Sequence, residues 1–245
     1  MVLRRRDSGE SDRRLTVLSR ERGKLDVVAK GARKGGSRLA GSSEPLVAVI
    51  FQVAVGKVNR FVTQAQPSTS FPGLRSDYDR LSMGLALAEL FEAVLPWEEP
   101  DEDACDLLVA CLRAVESHPK PLVAYVWAQV ALLSLTGFLP SFGECAVSGA
   151  PIVEGDPWVS GQAGGYVAAR HASAYHDAFQ TRAEVLYGLS KIAGLEEPPA
   201  HLKFAEEAVR VLLNLWRHTL ERGLPACTQV YRDSVGDTAP STLGG

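Results

Sequence analysis

Cysteine and histidine are the first residue types to test for chemistry. The four cysteines fall at 105, 111, 145 and 227, with no C-x-x-C pair. "ECAVSGAPI" (144–152) puts Ser148 three residues after Cys145, so it reads as half of a metal knuckle whose second thiol is missing. "GGYVAARHAS" (164–173) adds a glycine pair, two alanines and His171. The five histidines (118, 171, 176, 201 and 218) make no i, i+4 pair, and a helix would splay His171 from His176. As a nucleophile, Cys145 has neither a nearby cationic cluster nor a clear helix N-terminus to lower its pKa. "GARKGGS" (31–37) lacks the spacing of a phosphate loop, and "VSGQAGG" (159–165) around Ser160 is not a G-x-S-x-G elbow. Carboxylates are plentiful, but on amphipathic helices they read as solvated faces. No enzyme is expected from these residues.

The remaining chemistry is electrostatic. Residues 1–80 carry 16 Lys/Arg against 8 Asp/Glu, and residues 81–245 carry 10 against 21, so an overall charge of −3 hides a basic and an acidic module. Twelve of the sixteen cations lie within residues 4–38. Arg4, Arg5, Arg6, Arg13 and Arg14 flank one strand region. Lys24, Lys30, Arg33, Lys34 and Arg38 flank a hairpin and its loop, and Arg60 follows later. Such a cluster suits a polyanion, and phosphate contacts made by it would weaken steeply with salt. The competing readings are that the cations only keep a small β module soluble, or that they bind an acidic protein surface, making the chain a structural adaptor. Aromatic rings for base stacking are few here. Phe51 lies inside an apolar run and reads as core, while Phe61, beside Arg60, is either a stacker or core.

The elements that must position these residues change character along the chain. "RLTVLSR" (14–20) and "KLDVVAKGA" (24–32) read as a hairpin closed around Gly23. "PLVAVIFQVAVG" (45–56) is too apolar for a one-sided sheet and suggests a barrel strand, followed by "VNRFVTQAQ" (58–66). "KGARKGGSRLAGSS" (30–43) is a flexible, positive loop. Short strands without a long helix suggest a small barrel over residues 1–76. From residue 78 the period becomes helical: a first helix places Leu81, Leu85, Ala88, Leu90, Phe91, Val94 and Leu95 on one stripe and ends at Pro96. A second, 101–117, has Cys105, Leu108, Cys111, Leu112 and Val115 on one face. Further helices are expected over 176–194 and 200–223. "PLVAYVWAQVALLSLTGFLPSFG" (121–143) is uncharged, but Gln129, Ser134, Thr136 and Gly137 interrupt it, so it reads as the buried centre of a helical domain, not a membrane span. The helical domain is expected over 77–235, with a disordered tail at 236–245. Scattered cysteines and a terminus without an apolar h-region point to a reducing compartment and not to secretion.

The segment "VLRRRDSGESDRRLTVLSRERGKLDVVAKGARK" (2–34) resembles the opening of the RecO family of bacterial recombination mediators. The residues that carry the resemblance are Asp7, Gly9, Glu10, Asp12, Arg13, Gly23, Lys24, Leu25, Ala29, Gly31 and Arg33, continued by "FPGLRSDYDRL" (71–81). The resemblance implies an α+β protein: an N-terminal OB-fold, then an all-α helical domain with an irregular insertion at 142–176. It also implies binding of single- and double-stranded DNA, strand annealing and help in loading RecA onto DNA covered by single-strand binding protein (SSB). RecR, sometimes with RecF, and the C-terminal tail of SSB would be partners, in the cytoplasm at the nucleoid. Arg113 or Arg217 would have to dock that acidic tail.

Two departures from the family bear on this reading. Members usually carry several residues before the segment that begins here at Val2, so either the start is misassigned or the first strand is short and the barrel edge open. Many members also bind zinc through two C-x-x-C pairs, whose positions here hold Cys145, Ser148, Ala168 and His171. Two ligands of four do not make a closed zinc site, so no cofactor is expected. The loop would then be held by packing of Ile152, Trp158, Val159, Tyr166 and Val167, or be mobile.

Overall fold

The structure, a computed structural model, describes residues 1–152 and 157–236. Short β-branched runs divided by Gly and Ser turns form five strands: β1 (Val2–Ser8), β2 (Asp12–Ser19), β3 (Gly23–Ala29), β4 (Ala48–Val55) and β5 (Arg60–Thr69). They make one mixed sheet in the order β1-β2-β3-β5-β4, antiparallel except where β3 meets β5 with Val28 opposite Phe61. The β2–β3 turn needs glycine: Gly23 has φ +64°, and a Cβ there would lie 2.0 Å from the Glu99 carbonyl oxygen. Val2 donates its N–H to Val47 O at 3.0 Å and accepts from Leu46 N–H at 2.9 Å. Two residues therefore oppose one, a bulge with Leu46 at φ +64° that curls the sheet toward a partly open barrel.

The inner face of the sheet packs Val2, Leu15, Val17, Leu25, Val27, Ala29, Ala32 and Val62. β4 is more exposed than its apolar composition predicts. Val49 and Phe51 pack against that core, but Ile50 is 62% exposed and Val55 74%. The reason is topological, because β4 is an edge strand paired along its length with β5. Its inner side walls an open cleft of about 650 Å³ with Val17, Leu25 and Val27.

Four helices complete the first of two compact units, residues 1–116: α1 (Leu39–Ser42), α2 (Pro72–Arg75), α3 (Tyr78–Val94) and α4 (Glu102–Ser117), the last running one residue past the division. Asp77 caps α3 by accepting the Arg80 N–H at 2.9 Å. Ala88, Leu90, Phe91 and Leu95 of its expected apolar stripe are buried, Leu85 is 36% exposed, and Met83, Gly84 and Leu87 are buried as well. Gly84 lets the helix pack closely, since a Cβ there would come within 3.0 Å of Leu46 Cδ1. In α4, Leu108, Cys111, Leu112 and Val115 are buried as their spacing predicts, with Cys105 half-buried.

The second unit begins at residue 117. Its centre is α5 (Pro121–Leu135), buried almost throughout from Val123 to Leu133 as the uncharged run predicts, while the end of that run, 136–143, lies beyond the helix and leaves Phe138 51% exposed. Among the described residues no helix is long and apolar enough to cross a membrane. Then come β6 (Trp158–Ser160), β7 (Gly165–Val167), α6 (Ala169–Ala172) and β8 (Phe179–Gln180), the strands ordered β7-β6-β8. Val159, Tyr166 and Val167 are buried there, and Trp158 and Ile152 half-buried. The helix expected over 176–194 is α7 (Ala183–Ile192), because the Asp177 carboxylate is taken up holding the β6–β7 turn. The helix expected over 200–223 is α8 (Ala205–Leu220), bounded by Phe204 and Glu221, both left-handed at φ 58° and 48°. A further helix, α9 (Pro225–Val235), follows. The tail expected at 236–245 lies, beyond Gly236, outside the described residues.

Candidate nucleic-acid interface

Strand alternation sends Leu15, Val17, Val27 and Val62 inward, so their neighbours in the chain face out. Register then assembles a row across the outer face: Arg6 opposite Arg14, Arg14 opposite Val28, Val28 opposite Phe61. A second row sets Arg4 opposite Thr16 and Thr16 opposite Asp26. Arg14 is held in place from both sides, 3.7 Å from Asp26 and donating to Asn59 Oδ1 at 3.1 Å. Lys30, just past β3, lays its ammonium 4.5 Å from the centroid of the Phe61 ring. The outer face therefore carries Arg4, Arg6, Arg14, Lys30 and the Phe61 ring, together with Asp26 and the buried Thr16 and Val28.

The eleven cations singled out from sequence divide into groups. Arg4, Arg6, Lys30, Lys34 and Arg38 are exposed and make no ion pair among the described residues. Arg33 reaches Asp7 at 3.4 Å and donates to Gly9 O, folding the basic loop onto the β1–β2 turn. Arg60 is forked onto Glu98, with both N–O distances at 3.0 Å. Arg5 and Arg13 converge on Glu44 at 2.6 and 3.0 Å, and Arg13 also donates to Ser43 Oγ and Ala40 O. These two tie down the segment at 40–44 and leave little charge for a ligand.

Lys24 needs correction. It is 3% exposed, and its ammonium donates to the carbonyls of Glu92 and Leu95 at the end of α3 and lies over the Trp97 ring. It is a core residue of the first unit, out of reach of a ligand on the outer face. Its partners lie some seventy residues along the chain, beyond any local signal, whereas Asn59, which holds Arg14, stands in the turn "GKVN", a local signal for it. Phe51 faces the core and Phe71, at the start of α2, is buried, so of Phe51, Phe61 and Phe71 the outer face carries Phe61. In the second unit Arg217 donates to Thr228 Oγ1 at 2.9 Å.

At the knuckle-like loop, Cys145 is buried and its sulfur accepts the Ala168 N–H at 3.3 Å. Burial pushes this thiol up, but the Ser148 hydroxyl and the N–H groups of Ala168, Ser148 and Val147 outweigh it and bring it to about 7. Backbone donors thus supply a cause for a lowered pKa where the sequence showed none. Arg170 donates to Ser148 Oγ at 3.3 Å and to His171 Nε2 at 3.0 Å. Of the four positions, Ala168 offers no ligand atom, and Ser148 and His171 are engaged by Arg170. These residues do not fit a zinc ion, and among the described residues no three His, Cys, Asp or Glu side chains cluster to hold a metal.

Two family models match the chain: "Recombination protein O N terminal" over residues 1–71 and "Recombination protein O C terminal" over residues 75–226. Among similar proteins, one from Heliobacterium modesticaldum named DNA repair protein RecO is 39% identical over 160 residues, 64% of this chain and 58% of that one. One of the same name from a Roseiflexus species is 34% identical over 63% of this chain, and the chain spans about half its length (54%). A third, from a Nocardioides species, is 34% identical over 241 residues, covering 95% of this chain and 97% of the relative. With both family models matched in order and a full-length relative at this identity, the chain belongs to the RecO family.

Proposed function

We propose that this chain is a non-enzymatic recombination mediator in DNA repair. It binds single- and double-stranded DNA through the phosphate backbone, anneals complementary strands and assists RecA loading on SSB-coated DNA together with RecR, and with RecF where that protein takes part. The observation that carries the reading is the outer sheet face with Arg4, Arg6, Arg14 and Lys30, continued by the exposed Lys34 and Arg38 of the Gly-rich segment. Cations displayed on short strands and a loop match a polyanion better than a shaped small-molecule pocket. The mediator works without zinc, in the cytoplasm at the nucleoid, and takes the SSB C-terminal tail as a further partner.

The test is binding and annealing of complementary oligonucleotides across a salt series. Affinity is expected to fall steeply as salt rises and to be indifferent to sequence. Affinity that stays flat with salt refutes the electrostatic account. Co-purification with RecR but no affinity for DNA alone would replace it with an adaptor whose basic face binds an acidic protein.

A further inference from the structure

We infer that Phe61 is the point at which an unpaired nucleobase stacks, and that it gives this chain a preference for single-stranded over duplex DNA. The inference rests on the DNA-binding reading and adds to it the chemical class of ligand that the ring selects.

Three observations carry it. Phe61 stands on the sheet face opposite to its neighbour Val62, which is in the core, so the ring belongs to the basic face. It shares a cross-strand row with Arg6 and Arg14, from which Val28 separates it, and Lys30 lies against the ring itself, so a π-face stands on the same face as cations that can hold a backbone. Its edge rests against the turn at Gly56, where a Cβ would come within 3.0 Å of ring atom Cε2, so the turn fixes the ring's orientation.

Lys30 covers the ring in the free protein, at 4.5 Å from its centroid. An exposed cation–π pair is weak, and a phosphate is a stronger attraction for an ammonium. Binding therefore exchanges one interaction for two: Lys30 turns to a phosphate and the uncovered ring takes a base. In a duplex the bases are already stacked and paired, so only the phosphate half of the exchange is open. One ring serves one base, and every base has a π-face, so the preference for single strands carries no sequence preference.

The experiment measures anisotropy of labelled dT20 and of a mixed-sequence 20-base-pair duplex (lengths of about two helical turns) with the wild type, Phe61→Leu and Phe61→Trp. Phe61→Leu is expected to lose about tenfold in affinity for dT20. Its duplex affinity and salt slope should match the wild type, and Phe61→Trp should restore dT20 binding. Equal losses on both ligands would mark Phe61 as a packing residue and overturn the inference, as would no loss on either. A wild type that binds neither ligand at low salt overturns the DNA-binding reading and this inference with it. A wild type that binds both, with an unaffected Phe61→Leu, overturns this inference alone.

Discussion

Lys24 donates from its ammonium to the Glu92 carbonyl oxygen at 2.6 Å, sealing the C-terminal end of α3 with a buried positive charge. Carbonyls left over at a helix end carry negative partial charge, and a cation there complements them. The Trp97 ring, 4.6 Å away, covers the ammonium's other side. Lys24→Met should therefore cost about 1.5–3 kcal/mol of stability, because it strips charged donors from buried carbonyls. Denaturant unfolding measures this. In the same variant the salt slope of DNA binding should not change, which separates Lys24 from the surface cations.

Those surface cations divide by partner. Replacing Arg4, Arg6 or Lys34 with alanine removes a charge that no carboxylate of the described residues offsets. Removing one cation that neutralises a phosphate should flatten the slope of log K against log salt by about 0.9 on duplex DNA, alike for every sequence. Arg13→Ala is predicted to behave differently. Its guanidinium already serves Glu44, Ser43 and Ala40, so the loss should appear in thermal unfolding and hardly in the slope. A full slope change in Arg13→Ala would show that the 40–44 segment gives way to DNA.

The strands, the turn at Gly23 and the buried α5 were legible because alternation, a glycine between β-branched runs and an uncharged run are local signals. The face of the sheet was legible in part. Arg4, Arg6 and Arg14 could be grouped as cations from sequence, but register alone shows that Arg5 and Arg13 turn the other way, toward Glu44. Lys24 reads like its cationic neighbours until α3 arrives to bury it. β4 misleads for the opposite reason: its composition reports apolar character, whereas exposure depends on which strand, if any, lies along its free edge. Asp177 had no sequence signal, since its partners come from a turn and from α8.

Asp177 is the brace of the β6–β7 hairpin. Its carboxylate accepts from Ser160 Oγ at 2.6 Å and Gly161 N–H at 2.7 Å, and lies 3.1 Å from His218 Nε2. The hairpin comes close to α8: a Cβ at Gly161 would sit 2.5 Å from the Asn214 carbonyl oxygen. Burial raises the carboxyl's pKa, but Ser160, the Gln162 N–H, Asn214 and His218 outweigh it and hold the group below its ordinary value. The folded pKa is thus depressed, so the stabilisation is complete above the unfolded value near pH ~4 and is lost as pH falls through the folded one. Asp177→Asn should cost about 1–3 kcal/mol at pH 7. The gap from wild type should narrow as unfolding is repeated at falling pH below about 4.

Cys145 offers the last test, because hydrogen-bond donors in its loop favour its thiolate. Its titration midpoint, read from the pH dependence of iodoacetamide labelling, is expected at about 7. Cys111, buried without such donors, is pushed far up and should label only on unfolding. Burial of Cys145 slows its absolute rate, so the midpoint and not the rate is diagnostic. Cys145→Ser should leave DNA binding and annealing intact, since no step of the proposed function uses the thiol. Metal analysis of the purified protein should find zinc far below one per chain. A content near one would mean that Cys145 and His171 recruit ligands from elsewhere, and would replace the hydrogen-bonded thiolate with a metal-bound one.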